Sequence, residues 1–521
     1  MKPKLTIKNK EQSKKLTLNT STPKHKYSTS LLTPNSFTFI SGSTKARPSF
    51  SSFLSPNASK SLLATKHNHT ISHQFPISPT SPRLVKMPKV DSVEDKIIWK
   101  SNELPISHQE VLKGFKQHLT QLESEEILNY SEIFFIGIGA NKIKNTSSNN
   151  NGFDDDEGGY RIICGDHIAY RYEVLQILGS GSFGKVIKAL DHKSKQEVAL
   201  KIIKNKPRFH EQAREEIEIL NYLKIRDPGK NYCIIHFIEH FRFRNHICLT
   251  FELLHINLYQ YIKLNNYQPV PMTIIKRFAL QILQALRLMD RYKVVHCDLK
   301  PENILLKTID SNDIRVIDLG SACFYEKRIY TYIQSRYYRA PEIILGLDYS
   351  TAIDMWSFGC ILAELFTGRP IFPGENETEQ IQCMIEVLGS PPLKVINKAS
   401  RKHLYFEIDG RPKIQANSKG RKRMPNTKPL KEILKGSEDG FQHLVSQCFE
   451  WDQLKRVSPD EALLHPWLTE VNNAQNKFKH SKTQSEAVLK QNKLFVINES
   501  KEGFKNKNVF KGVELRLGHN E

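Results

Sequence analysis

Apolar residues recur at three- and four-residue steps through Ile275, Phe278, Ile282, Leu286 and Met289, which predicts a helix capped by Thr273. A similar rhythm over residues 211–223 predicts a second helix, with Ile217 and Leu220 on its inward face. Residues 354–366 are apolar nearly all round, the mark of a helix buried on every side. Short runs of strand character fall at 174–178, 186–189, 247–254 and 304–306. Order begins near residue 103. There Ser107 with Glu110, and Thr120 with Glu123, form capping boxes that predict two short helices. The run YSEIFFIGIGANKI then predicts a strand ending at Gly137 and Gly139.

Residues 1–95 lack any such rhythm. They are rich in Ser, Thr, Lys and Pro, cannot bury enough surface to offset chain entropy, and are expected to be disordered. The 521 residues include 76 Lys and Arg against 55 Asp and Glu, a net charge of +21. Fifteen of the basic residues, with Glu11 as the sole acid, lie in the first 90 positions; residues 469–521 hold ten basic against six acidic. The basic character therefore belongs to the tails, and the centre is nearly balanced. Thr22-Pro23, Thr33-Pro34, Ser55-Pro56, Ser78-Pro79 and Ser81-Pro82 make the N-terminal tail either solvated chain or a set of proline-directed phosphorylation sites. A nucleic-acid arm is disfavoured, because its lysines are not interleaved with stacking aromatics. The eight cysteines show no metal spacing and read as reduced thiols of an intracellular protein. No apolar run suits a signal peptide or a membrane span. An Asn/Ser/Gly linker at 145–152 precedes an acidic group at 154–157, which lacks EF-hand spacing and reads as a surface turn.

The candidate chemistry is concentrated in the centre. HCDLKPENILL, residues 296–306, follows the predicted helix and places Asp298, Lys300 and Asn303 in one loop. An Asp there can accept the proton of an attacking hydroxyl, the Lys can offset charge on a phosphate, and the Asn carbonyl can ligate Mg²⁺. Upstream, Gly179, Ser180, Gly181, Ser182, Phe183, Gly184, Lys185 and Val186 spell G-x-G-x-x-G-x-V, a loop whose backbone can approach phosphates. Alone it would also fit a dinucleotide-binding turn, but a strand follows it rather than a helix, which favours a hairpin lid over a nucleotide. Val198-Ala199-Leu200-Lys201 supplies a lysine for the phosphates. That lysine needs a carboxylate on the next helix; Glu216 is favoured over Glu215 and Glu218 by the inward positions of Ile217 and Leu220. Phe251 would guard the back of an adenine pocket, with Glu252, Leu253 and Leu254 offering backbone hydrogen bonds to the base. Asp318, in Asp-Leu-Gly where Phe is usual at the position of Leu319, would hold metal; Glu342 of Ala-Pro-Glu would pair with Arg456. ATP and Mg²⁺ are the expected cofactors.

These motifs, in this order, resemble a protein kinase: a bilobal α+β fold with an antiparallel sheet and one long helix in the small lobe, and a mainly helical large lobe. DLGSAC and YTYIQSRYYRAPEIILG, residues 330–346, resemble the dual-specificity tyrosine-regulated kinases (DYRK family) of the CMGC group. DDDEGGYRIICGDHIAYRYEVL resembles that family's homology box, and residues 103–144 its class II accessory module. The implied organisation is a tail (1–95), the module (103–144), a linker and box (145–171), the kinase domain (172–468) and a C-terminal tail (469–521). The resemblance implies ATP-dependent phosphorylation of Ser and Thr in protein substrates, with Pro after the target and Arg before it. It also implies self-phosphorylation on Tyr332, helped in cis by the module. Cys297 replaces the arginine that usually grips an activation-loop phosphate, so Arg336 and Arg339 are the expected partners of a phosphate on Tyr332. A monomer with no membrane partner, with nucleic acid not its main partner, and cytoplasmic and/or nuclear, is expected. The 391–440 insert carries Lys419, Arg421, Lys422 and Arg423, which reads as a solvated loop ahead of an import signal or a docking patch. The competing readings are an inactive scaffold, a homeodomain-interacting or CDC-like kinase, and a nucleic-acid binder.

Overall fold

The structure is a computed structural model, and it describes Trp99 and residues 104–144, 149–328 and 331–469. Expectations for the two tails lie outside the described residues. The small lobe is built on a six-stranded antiparallel sheet in the order β1-β2-β3-β4-β6-β5. Its strands are β1 (His167–Ile168), β2 (Tyr172–Ser180), β3 (Gly184–Asp191), β4 (Gln196–Ile203), β5 (Phe237–Phe243) and β6 (His246–Glu252). Strand β4 alternates. Val198, Leu200 and Ile202 pack with Phe153, Tyr160 and Val174 on one face, while Lys201 points to the other. A helix at Pro207–Arg226 buries Phe209, Ala213, Ile219, Leu220 and Leu223 in the core that the small lobe shares with the large lobe.

The large lobe is mainly helical. The helix predicted from Ile275 to Met289 is present at Met272–Arg291, but Thr273 does not cap it. Pro271 is the capping residue, its ring fixing φ at −54° just ahead of the first turn, and Thr273 already lies inside the helix. The all-round apolar segment is the helix Ala352–Thr367, buried along almost its whole length. Glu342 and Arg456 form a bidentate ion pair at 2.7 and 2.9 Å, both side chains fully buried.

The accessory segment forms its own core from Trp99, Val111, Phe115, Ile127, Ile133, Ile136, Ile138 and Tyr170. Both capping boxes are made, at His108–Gly114 and Gln121–Glu126. The strand expected to end at Gly137 and Gly139 is not. Only Ile133 bridges, to Ile106; the N–H groups of Phe134 and Phe135 both go to the carbonyl of Tyr170. Gly137 and Gly139 then take φ of +67° and +78°, which ends any extended run.

The joint between this segment and the sheet is a buried charge network. Glu123 meets His167 Nε2 at 2.9 Å, Lys142 at 2.8 Å and Arg244 at 3.1 Å; Arg244 also reaches Glu126 at 3.0 Å. Burial works against the Glu123 carboxylate, but His167 and Lys142 outweigh it and hold its pKa far below the ordinary range. The acidic group is also more than a surface turn. Asp155 closes the turn by accepting from the N–H groups of Glu157 and Gly159, while Asp154 is buried and accepts from Asn150, Asn205 and His246.

Candidate active site

The β2–β3 hairpin carries the glycine-rich lid. Gly181 N–H bonds to the Gly184 carbonyl at 2.8 Å, and a Cβ on Gly184 would meet the Ile202 carbonyl oxygen at 2.0 Å, so only glycine fits there. Phe183 tucks edge-on against Phe209. The Lys185 ammonium has partners elsewhere in the chain. It is engaged by Asp155 Oδ2 and the Tyr160 carbonyl, both at 2.9 Å, which leaves only its backbone for the lid.

Lys201 lies opposite Val186 on one side and Leu249 on the other. Its ammonium is 2.6 and 2.8 Å from the two Glu216 oxygens and 3.3 Å from Asp318 Oδ1. Glu216 is therefore the partner among the three carboxylates; Glu218 meets Lys327 on the surface instead. Burial opposes the charge on Lys201, but Glu216 and Asp318 outweigh it and raise the lysine's pKa. Burial likewise opposes the Asp318 carboxylate, and Lys201, Lys300 and His296 together still hold its pKa low.

At the end of β6, Glu252 spends its N–H on the His236 carbonyl, so its own carbonyl is what it would offer a base. Leu253 and Leu254 lie past the strand and are half-buried. Among the described residues nothing pairs with their backbone N–H and C=O groups. Groups of that kind need a partner, and an adenine edge would supply one.

The catalytic-loop residues converge from both sides. Asp354 accepts from the N–H groups of His296 and Cys297 at 2.8 and 3.2 Å, and burial pushes its carboxyl up to about 6. Cys297 sits at φ +64°, and the chain then delivers Asp298. Asp298 Oδ2 accepts from Lys300 at 2.7 Å. Its Oδ1 accepts from the Ser335 hydroxyl at 2.8 Å and the Ser335 N–H at 3.0 Å. Asn303 donates Nδ2 to the Asp298 carbonyl at 2.9 Å, while its Oδ1 is buried with no partner. That orphaned oxygen, with the Asp318 carboxylate, is a hard-oxygen donor set suited to Mg²⁺. Leu319 packs into the core, and Gln212 of the small-lobe helix donates to the Gly320 carbonyl at 2.7 Å, tying that helix to the metal segment.

Around Tyr332 the two arginines are placed differently. The Arg339 guanidinium stacks 4.1 Å from the Tyr332 ring centroid. Arg336 instead bonds the carbonyls of Gly374 and Glu375. The basic run of the 391–440 insert is not simply solvated either. Arg423 is buried against Glu379 and Glu386, and Arg421 pairs with Glu386. Sequence reasoning missed Ser335, Asp354 and Gln212. Ser335 adjoins the tyrosine motif, Asp354 opens the predicted buried helix and Gln212 lies in the predicted 211–223 helix, but no local pattern marked their partners.

A two-lobed fold with a glycine lid, a buried Lys–Glu pair and an Asp–Lys–Asn loop facing a metal-type Asp defines a protein kinase. The protein kinase domain family accordingly matches residues 172–468. Dual specificity tyrosine-phosphorylation-regulated kinase 4 of Homo sapiens is 47% identical over 376 residues, covering 72% of this chain and 72% of its own length. Dual specificity tyrosine-phosphorylation-regulated kinase 2 of Drosophila melanogaster is 50% identical over 369 residues, 70% of this chain and 51% of its own length. The DYRK-family kinase pom1 of Schizosaccharomyces pombe is 46% identical over 370 residues, 70% of this chain and 34% of its own. The chain belongs to the dual-specificity tyrosine-phosphorylation-regulated kinase family. It spans about half the length of the fly relative.

Proposed function

We propose that the chain transfers the γ-phosphoryl group of ATP to Ser and Thr hydroxyls of protein substrates and, during its own maturation, to Tyr332. The observation that carries this is the single cleft in which Lys201, Glu216 and Asp318 are joined by ion pairs and Asp298 is held by Lys300 and Asn303. Lys201 binds and orients the phosphates. Asp298 orients the acceptor hydroxyl and takes its proton at a carboxylate oxygen, and Lys300 offsets phosphate charge. Asn303 and Asp318 would hold Mg²⁺, which supplies positive charge to the phosphate oxygens when bound.

Two further features support a substrate preference. Gln334 stands at φ +66°, with its carbonyl taken by Arg339 Nε and Nη2 at 3.3 and 2.9 Å. A substrate N–H placed after the target would find no acceptor there, and proline has no N–H to leave unpaired. Glu302, with a buried and unpartnered Oε2, lies within electrostatic reach of buried Glu364, a pair suited to an upstream arginine.

The test is Lys201→Arg and Asp318→Asn beside the parent, with unfolding monitored in each. Loss of transfer from folded protein is expected; activity like the parent's in either removes these roles. Mass spectrometry of protein made in bacteria, beside Asp298→Asn, tests Tyr332, with phosphate expected on the parent only.

A further inference from the structure

Tyr332 is 56% exposed, with one ring face under the Arg339 guanidinium. Arg339 is buried and already heavily committed: two nitrogens serve the Gln334 carbonyl, and Nη1 meets Glu377 Oε1 at 3.1 Å. Arg336 is anchored on backbone carbonyls. The pair expected to grip a phosphate on Tyr332 is thus largely occupied with other acceptors.

A third cation stands beside them. Arg401 enters from the 391–440 insert, its N–H fixed on the Leu345 carbonyl at 3.1 Å. Its side chain is about a third exposed and forks onto Glu377, with Nη2 2.7 Å from Oε2 and Nη1 3.4 Å from Oε1. Glu377, the first residue of the helix Glu377–Leu388, therefore bridges Arg339 and Arg401. The Tyr332 phenol lies within electrostatic reach of Arg401 and of Tyr405, whose ring Arg401 approaches at 5.8 Å. A carboxylate clasped between two guanidiniums, one stacked on the Tyr332 ring and the other within electrostatic reach of its phenol, has the charge and the bidentate geometry of a phosphate stand-in.

We propose that Arg401 is a ligand of the phosphate on Tyr332, which displaces Glu377 from between Arg401 and Arg339. This rests on the reading of Tyr332 as a self-phosphorylation site. A phosphate brings a charge of roughly −1.5 to −2 and three acceptor oxygens, against the single charge of Glu377, so the exchange favours the phosphate. It would tie the activation segment to the insert, giving the insert a part in holding the mature form.

The test uses the full chain made in bacteria, with phosphate on Tyr332 quantified and then removed by a tyrosine phosphatase. Arg401→Gln is expected to lose that phosphate about tenfold faster than the parent, the effect of deleting one charge-assisted contact. Glu377→Gln removes the competitor and is expected to lose it more slowly. A purely structural strut between Arg401 and Glu377 predicts that both variants accelerate loss together, so that outcome, or an unchanged rate in Arg401→Gln, overturns the proposal. Arg401→Lys keeps the charge without the fork and is expected to fall between. It serves if Arg401→Gln does not fold, and a rate equal to the parent's then overturns the proposal. A parent without phosphate on Tyr332 overturns the self-phosphorylation reading and this inference with it; phosphate present with unaltered protection removes Arg401 alone.

Discussion

Ser335 donates its hydroxyl hydrogen to Asp298 Oδ1 at 2.8 Å while receiving one from Lys300 Nζ at 3.1 Å. The activation segment thus holds both side chains that would handle the acceptor hydroxyl. Ser335→Ala is expected to leave the fold and the KM for ATP unchanged and to lower kcat roughly tenfold, through looser placement of Asp298. Ser335→Thr should restore most of it. Steady-state kinetics on the three proteins checks this.

Glu364 accepts from the Tyr338 hydroxyl at 2.6 Å, and burial pushes its carboxyl up to about 7 from 4.5. Between those two values the folded chain holds a proton that the unfolded chain releases, so this group's contribution is full below about pH 4.5 and is lost as pH rises through about 7. The loss is about 3 kcal/mol. Glu364→Gln should therefore match the parent near pH 4.5 and exceed it at pH 8 in denaturant titrations. A bound substrate arginine favours the ionised form, so the KM of an arginine-containing peptide should fall from pH 6 to 8. That of a peptide lacking the arginine should not.

Arg244 is buried between Glu123 and Glu126 at the joint of the accessory segment and the sheet. Arg244→Met leaves these carboxylates short of a cation and is expected to cost about 3–5 kcal/mol. Adding Glu123→Gln should recover part of the loss. Urea unfolding of the single and double variants measures both.

Arg339→Leu frees the Gln334 carbonyl. A substrate residue with an N–H can then be paired after the target, so the preference for proline over alanine in kcat/KM should shrink roughly tenfold. Matched peptides differing at that one position report the ratio.

The motifs that carry the chemistry were legible because each is local. The spacing of Gly179, Gly181 and Gly184, the five-residue step from Asp298 to Asn303 and the apolar rhythm from Ile275 to Met289 need no distant partner to be recognised. Glu216 was also within reach, since one helix face selects among its neighbours. What remained hidden depends on residues far away in sequence. Asp154 is buried only because His246, Asn150 and Asn205 close around it. The stretch before Gly137 does not form the expected strand because the Tyr170 carbonyl takes two successive N–H groups, of Phe134 and Phe135. Arg423 leaves the solvent for two carboxylates of an earlier helix, and Arg339 serves Gln334 and Glu377 before any phosphate. A periodic pattern records which face of an element is apolar. Which of several like charges meets which acceptor is decided only when the elements pack, because Coulomb and hydrogen-bond energies depend on separations of a few ångström that the sequence does not contain.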